Sequence, residues 1–161
     1  MISPEESANQ LLTHLQRLKA PIDLSQLAVY LRLKIVDAQL DDRLSAALLR
    51  DQRLVAVNCN HVLERKRFSV AHEMGHYILH KDDKFYDGVF QRSKHIPENK
   101  KQFEREANQF AAALLMPEKL VRASVENKTK QDQAVIIGQL ATEFQVSIQA
   151  MSYRLLNLGL E

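Results

Sequence analysis

Apolar residues recur every three or four positions along most of the chain, which is the spacing of amphipathic helices. The pattern predicts helices over residues 4–20, 24–31, 63–80, 102–116, 118–124, 132–144 and 147–156. Ser3, Pro4 and Glu6 together form a typical helix start, because Ser3 can cap, Pro4 suits the first helical position and Glu6 completes a capping box. Pro21 is expected to close this first helix.

The pattern changes to short apolar runs over residues 33–58. Residues 33–38 are a strand candidate, and residues 45–50 and 54–58 are predicted to form a hairpin around a turn at residues 51–53. The sequence therefore predicts a small three-stranded, mainly antiparallel sheet. With the helices around it, the expected fold class is α+β, mostly helical, with a helical C-terminal tail.

Residues 81–100 are polar and irregular, with one strand expected within residues 84–93. A loop of this length usually indicates either function or local disorder.

Composition excludes several classes of protein. The 161 residues are 45% apolar and 26% charged with a net charge of +2, which argues against a disordered chain and gives no strong steering toward nucleic acid or membrane. A single cysteine excludes an internal disulfide and favours a reduced compartment. No apolar run is long enough for a membrane helix, and the first residues do not resemble a signal peptide. We therefore expect a cytoplasmic protein without membrane partners.

Candidate chemistry lies in the helix predicted over residues 63–80. His72, Glu73 and His76 form an HExxH motif, in which two histidines one helical turn apart can bind a single metal ion. Neutral imidazoles suit zinc, and Glu73 lies beside them, where it can take a proton from a metal-bound water. Gly75 in mid-helix is unfavourable by about 1 kcal/mol, which suggests that another element packs closely there.

A third metal ligand is available on the next strong helix. Glu104 lies on the same side as the apolar residues Phe103, Ala107 and Ala111, whereas Glu106 points about 200° away around the helix axis. A carboxylate on the buried side needs a partner, and a metal ion is one. We therefore favour Glu104 over Glu106 as the ligand.

Two stretches of sequence resemble the ImmA/IrrE family of metallopeptidases. They are RFSVAHEMGHYILH at residues 67–80 and EREANQFAAALLMP at residues 104–117. The resemblance is close over residues 55–117 and looser over residues 140–160. It implies a zincin-like fold in which His72, His76 and Glu104 bind Zn²⁺, with Mn²⁺ as the alternative metal, and Glu73 is the general base. Asn108 stands where related peptidases carry an aspartate that accepts a hydrogen bond from a ligand histidine.

The resemblance also implies a function in transcription regulation or stress response. Family members typically cleave a helix-turn-helix repressor encoded nearby, so the leading hypothesis is a zinc-dependent endopeptidase with such a substrate. Two alternatives remain open: a non-catalytic protein that acts on a repressor by contact, and one half of a toxin–antitoxin pair.

The expected organisation is one domain over residues 1–161, with N-terminal helices (1–32), the small sheet (33–58), a metal-binding core (63–117) and helix-turn-helix-like helices (131–158).

Four further residues are candidates for lesser roles. Tyr77, His80 and His95 can contact substrate or a metal ligand, although a histidine at the position of His80 more often simply ends the helix. Cys59 can act as a thiol latch on the metal, against the alternative of a small residue at a strand end. The C-terminal helices offer only one basic side chain, Arg154, so packing is favoured over direct DNA binding.

Overall fold

The computed structural model describes residues 2–81, 98–128 and 132–160. Seven helices occur in these ranges: α1 (Pro4–Leu12), α2 (Leu24–Leu31), α3 (Leu63–Leu79), α4 (Glu98–Leu115), α5 (Glu118–Glu126), α6 (Gln133–Phe144) and α7 (Ile148–Leu158). The predicted α+β class is confirmed. The strand expected within residues 84–93 falls outside the described residues. Among the helices that can be examined, none is both long and apolar enough to cross a membrane.

The small sheet contains β1 (Lys34–Ala38), β2 (Ala46–Leu49) and β3 (Leu54–Asn58) in the order β1-β3-β2. The predicted hairpin is correct: β2 runs antiparallel to β3, with Ala46 opposite Val57 and Leu49 opposite Leu54. The first strand departs from the expectation because β1 pairs parallel to β3, with Lys34 opposite Leu54. The sheet is thus mixed, with one parallel and one antiparallel pair, rather than mainly antiparallel.

The physical reason for the parallel pair lies in β3 and in the loop before β2. Four of the five residues of β3 are buried, so this strand takes the centre of the sheet and β1, largely exposed, takes an edge. Residues 39–45 carry the chain from β1 past β3 to β2. The buried side chain of Asn58 holds that loop by donating to the carbonyls of Leu40, Asp41 and Leu44.

The first helix is shorter than the apolar spacing predicts. It ends at Leu12, and the hydroxyl of Thr13 donates to the Gln10 carbonyl at 2.6 Å. The backbone N–H of Gln16 then donates to the Gln26 side chain, 2.7 Å away on α2. These contacts favour a turn toward α2 over a continued helix, although Leu15 still packs against the core. The capping box of Ser3 and Glu6 is present as expected.

Helices α3 and α4 pack against each other at Gly75. A Cβ atom at this position would lie 3.1 Å from the Phe110 ring and 3.2 Å from the Cα of Ala107. The close approach expected from the sequence is therefore present. It matters for chemistry because it fixes the distance between the HExxH motif on α3 and the carboxylates on α4.

Replacing Gly75 by valine is expected to lower the free energy of unfolding by about 1–3 kcal/mol, because the added methyl groups meet the α4 backbone. Urea unfolding followed by circular dichroism measures the change. Gly138→Ala is the matched control, since nothing lies within 4 Å of a Cβ there. That variant should be more stable by up to about 1 kcal/mol because alanine is the better helix former. An unfolding midpoint for Gly75→Val equal to that of the wild-type chain would contradict the packing argument.

The C-terminal helices pack on the rest of the chain through buried residues: Leu140, Phe144, Met151 and Leu155. Arg154 is buried with them, and its guanidinium donates to the Met116 carbonyl at 2.9 Å and to Glu5 at 2.6 Å. The one basic side chain considered for a phosphate contact is thus engaged within the fold.

Candidate metal centre

Helices α3 and α4 bring three potential ligands together. His72 and His76 lie one turn apart on α3, and their Nε2 atoms are 2.9 Å apart. Glu104 on α4 reaches both: one carboxylate oxygen lies 3.2 Å from His72 Nε2 and the other 3.4 Å from His76 Nε2. All three ligand atoms fall within 4.8 Å of one another. The histidines are largely buried whereas the Glu104 side chain is 41% exposed, so the cluster opens to solvent on one side.

The donor set fits a divalent metal ion. Tetrahedral zinc with bonds of about 2.0–2.1 Å to nitrogen and oxygen separates its ligand atoms by about 3.3 Å. The Nε2–Nε2 distance of 2.9 Å and the shortest distances from each nitrogen to Glu104, 3.2 and 3.4 Å to its two different oxygens, lie near that value. Two imidazoles and one carboxylate are also a ligand set that catalytic zinc sites use, with a further position left open. Residues His72, His76 and Glu104 could therefore hold such an ion without rearrangement of the helices.

Asn108 orients the first of the two histidines. Its amide oxygen lies 2.9 Å from His72 Nδ1, one turn beyond Glu104 on α4. Because that oxygen can only accept, it favours the tautomer of His72 with the proton on Nδ1, in which Nε2 would offer its lone pair to a bound metal. This is the contact that the Asn108 position implied, with a neutral acceptor in place of a carboxylate.

Charges within the cluster shift the protonation of its members. Burial alone would lower the pKa of His72, but hydrogen bonding to Glu104 and the charge of Glu73 outweigh burial and raise it. Burial lowers the pKa of His76, with Glu104 opposing only in part. Burial would raise the pKa of Glu104, yet its hydrogen bonds to the two histidines hold it far below its usual range. Glu104 is consequently an anion, which is the form that binds metal.

Glu73 follows His72 on α3 and is half-buried. Burial raises the pKa of its carboxyl group to about 7, while the nearby charges of His72 and Arg50 lower it and that of Glu104 raises it. A carboxyl group whose pKa lies near neutrality can both accept and return a proton, as a general base and acid must do.

A second layer of contacts surrounds His76. Its Nδ1 lies 3.0 Å from Nδ1 of His80, and Nε2 of His80 lies 2.9 Å from a carboxylate oxygen of Glu106. The hydrogen bond from His80 lowers the pKa of Glu106. Glu106, which the helical angle set aside as a metal ligand, thus contacts the site through His80.

Arg50 supports the end of α3. It follows β2, and its guanidinium donates to the carbonyls of His76, Tyr77 and His80 at 3.1–3.3 Å. These carbonyls lie in or just after the last turn of α3, where carbonyls run short of intrahelical partners, although that of His76 also accepts from the N–H of His80. The interaction anchors the helix end that carries His76.

The remaining candidates are not all brought to the cluster. Tyr77 lies beside Arg50, whose guanidinium carbon is 5.5 Å from its ring centre. Cys59 is exposed before α3 begins, with its sulfur 3.7 Å from the Asn60 side chain. Among the described residues, the cluster that could hold a metal contains His72, His76 and Glu104 and does not include the thiol. His95 falls outside the described residues.

Sequence reasoning missed the parts played by Glu106 and Arg50. His80 carried a signal, since it continues the four-residue spacing from His76. No such signal marks Glu106 or Arg50 in the sequence. Each contacts α3 from another element, and the local sequence pattern does not show how that element packs on α3.

Comparisons with known proteins bear on the same region. Residues 26–156 match a peptidase family described as the IrrE N-terminal-like domain. The chain is 30% identical over 112 residues to metallopeptidase ImmA of Bacillus subtilis strain 168, covering 68% of this chain and 59% of that protein. A Mycobacterium tuberculosis transcriptional regulator has a similar fold, with a TM-score of 0.69 and 19% identity over 94% of this chain and 46% of that one. The chain thus spans about half of the length of these two proteins.

Proposed function

The chain belongs to the IrrE N-terminal-like peptidase family, and from that premise we propose that it is a zinc-dependent endopeptidase acting on a regulatory protein. His72, His76 and Glu104 are the proposed metal ligands, Glu73 the proposed general base, and Asn108 the residue that orients His72. Zinc is preferred to manganese because two of the three ligands are imidazoles.

One observation carries this proposal. The Nε2 atoms of His72 and His76 and the carboxylate of Glu104 converge from two helices, with Glu73 next in sequence to the first ligand. A purely structural zinc site closes its coordination with four protein ligands, whereas three protein ligands leave one position for water or substrate. The exposed side of the cluster gives a peptide access to that position.

The reaction follows from the chemistry of these groups. A bound divalent metal supplies Lewis acidity, which polarises a carbonyl group and makes water a better nucleophile at neutral pH. Glu73 accepts the proton of the attacking water and returns it to the nitrogen of the departing peptide. Its raised pKa suits both steps. Asn108 meanwhile holds His72 in the tautomer whose Nε2 is a ligand.

The substrate that we propose is a helix-turn-helix repressor encoded by a gene near the gene for this chain. The supporting likenesses are to a protein named a metallopeptidase and, in fold alone, to one named a transcriptional regulator. Cleavage of a repressor would join these two descriptions in one activity.

The test is to incubate the zinc-loaded chain with the helix-turn-helix protein encoded by a neighbouring gene and to measure intact masses. Two fragments whose masses sum to the substrate plus one water are expected, and a chelator should prevent their formation. A chain that binds zinc and the repressor but leaves the repressor intact would contradict the endopeptidase proposal. That outcome would favour regulation by contact alone.

A further inference from the structure

His80 is a buried polar ring held in a fixed position at the end of α3. Its side chain is 3% exposed, and its ring stacks on Phe103 of α4 with centres 4.3 Å apart. A buried imidazole needs hydrogen-bond partners at its nitrogens. Both nitrogens have one: Nδ1 faces His76 and Nε2 faces Glu106.

The carboxylate of Glu106 determines which atom donates in each of these two hydrogen bonds. Glu106 can only accept, and its second oxygen already accepts from the Gln102 amide at 2.8 Å. Nε2 of His80 therefore donates to Glu106, which leaves Nδ1 of a neutral His80 with a lone pair. That lone pair accepts from Nδ1 of His76, 3.0 Å away.

The consequence falls on the other nitrogen of His76. With the proton on Nδ1, the Nε2 of His76, which faces His72 Nε2 and Glu104, would have a lone pair free to bind a metal. His72 obtains the same tautomer from Asn108. The two histidines thus reach the same state through different partners, one through an amide and the other through a second imidazole and a carboxylate.

We propose that His80 and Glu106 form a relay that fixes the tautomer and ring orientation of His76 for metal binding. This inference rests on the proposed function, because it assumes that His76 is a ligand. Both are positioning residues, since they act through His76. Glu106 thereby has a role distinct from that of Glu104, although both carboxylates lie on the same helix.

His80→Phe tests the relay while keeping a ring against Phe103. The expected result is zinc affinity 10–100-fold weaker, measured by competition with a chromophoric chelator, which is the usual cost of losing a partner of a ligand histidine. The control is His14→Phe, which replaces another stacked histidine, on Tyr30, and should leave the affinity unchanged.

Two variants of Glu106 separate the relay from simple packing. Glu106→Leu removes the acceptor and should weaken zinc binding, as His80→Phe does. Because Glu106 is half-buried, this substitution should disturb packing less than one in the core would. Glu106→Gln keeps an oxygen that can accept and should retain affinity closer to that of the wild-type chain. In metal-free protein, ¹⁵N NMR should find the proton of His80 on Nε2 in the wild-type chain and redistributed in Glu106→Leu.

The outcomes distinguish the relay proposal from the endopeptidase proposal on which it rests. A wild-type chain that binds zinc, together with His80→Phe and Glu106→Leu that bind it equally well, would overturn the relay and leave the endopeptidase proposal standing. A wild-type chain that binds no zinc would overturn both. Equal losses in Glu106→Gln and Glu106→Leu would also overturn the relay, because the amide oxygen should preserve the hydrogen bond.

Discussion

Glu73→Gln is expected to lower peptide-bond hydrolysis by about 10²–10⁴-fold, the range that a positioned general base contributes, while one zinc ion per chain stays bound. Glutamine has nearly the shape of glutamate but cannot take a proton from water. Because Glu73 is not among the three proposed ligands, its replacement should remove the proposed base without removing a ligand. Turnover of the repressor substrate and metal content, measured on the same preparation, check both halves of this expectation.

The control for this variant is Glu64→Gln, which makes the same chemical change on α3 more than two turns before the histidines. Its turnover and metal content should match those of the wild-type chain. If Glu73→Gln hydrolysed the substrate at the wild-type rate, Glu73 would not be the base. If it instead lost the metal as well, the residue would belong to the ligand set.

Glu104→Gln is expected to remove stoichiometric zinc after gel filtration. The carboxylate is the only anionic group among the three proposed ligands, and an amide is a much weaker ligand for a divalent ion. The loss of affinity should exceed the 10–100-fold that follows from disturbing an outer partner of a ligand histidine. Elemental analysis by mass spectrometry gives the metal content, and hydrolysis should disappear with it.

Glu118→Gln supplies the comparison, since this glutamate pairs with Arg122 on the surface of α5. It should bind one zinc per chain. Retention of zinc by Glu104→Gln at the affinity of the Glu118 variant would show that the third ligand is another group.

The local elements of this site were predictable because their signals are local. The spacing of His72 and His76 requires only that the segment be helical, and the apolar stripe of α3 established that. Glu104 was chosen over Glu106 from the angle between them on one helix. In the structure Glu104 lies beside His72 and His76, but Glu106 also reaches α3, through His80, which the angle did not predict. Gly75 in mid-helix similarly predicted that another element packs closely there, and that element is α4.

What escaped prediction depends on contacts between distant segments. The parallel pairing of β1 depends on β3 being the central strand. The position of each strand in the sheet depends on all three strands, so the sequence of one strand alone does not predict it. The early end of α1 depends on Gln26, ten residues after the backbone group it contacts. Arg50 meets the end of α3 from a position 26 residues or more earlier, so its role was invisible before the sheet and helix were packed together.

The division of the proposed ligands between α3 and α4 has a thermodynamic consequence. An ion bound to the folded chain and not to the unfolded one adds its binding free energy to stability, about 2.7 kcal/mol when its free concentration is a hundred times the dissociation constant. Such linkage is reciprocal. A change at Gly75 that shifts α3 relative to α4 would also displace the proposed ligands, so we expect it to weaken ion binding and stability together, and the metal concentration then sets part of the stability of the fold.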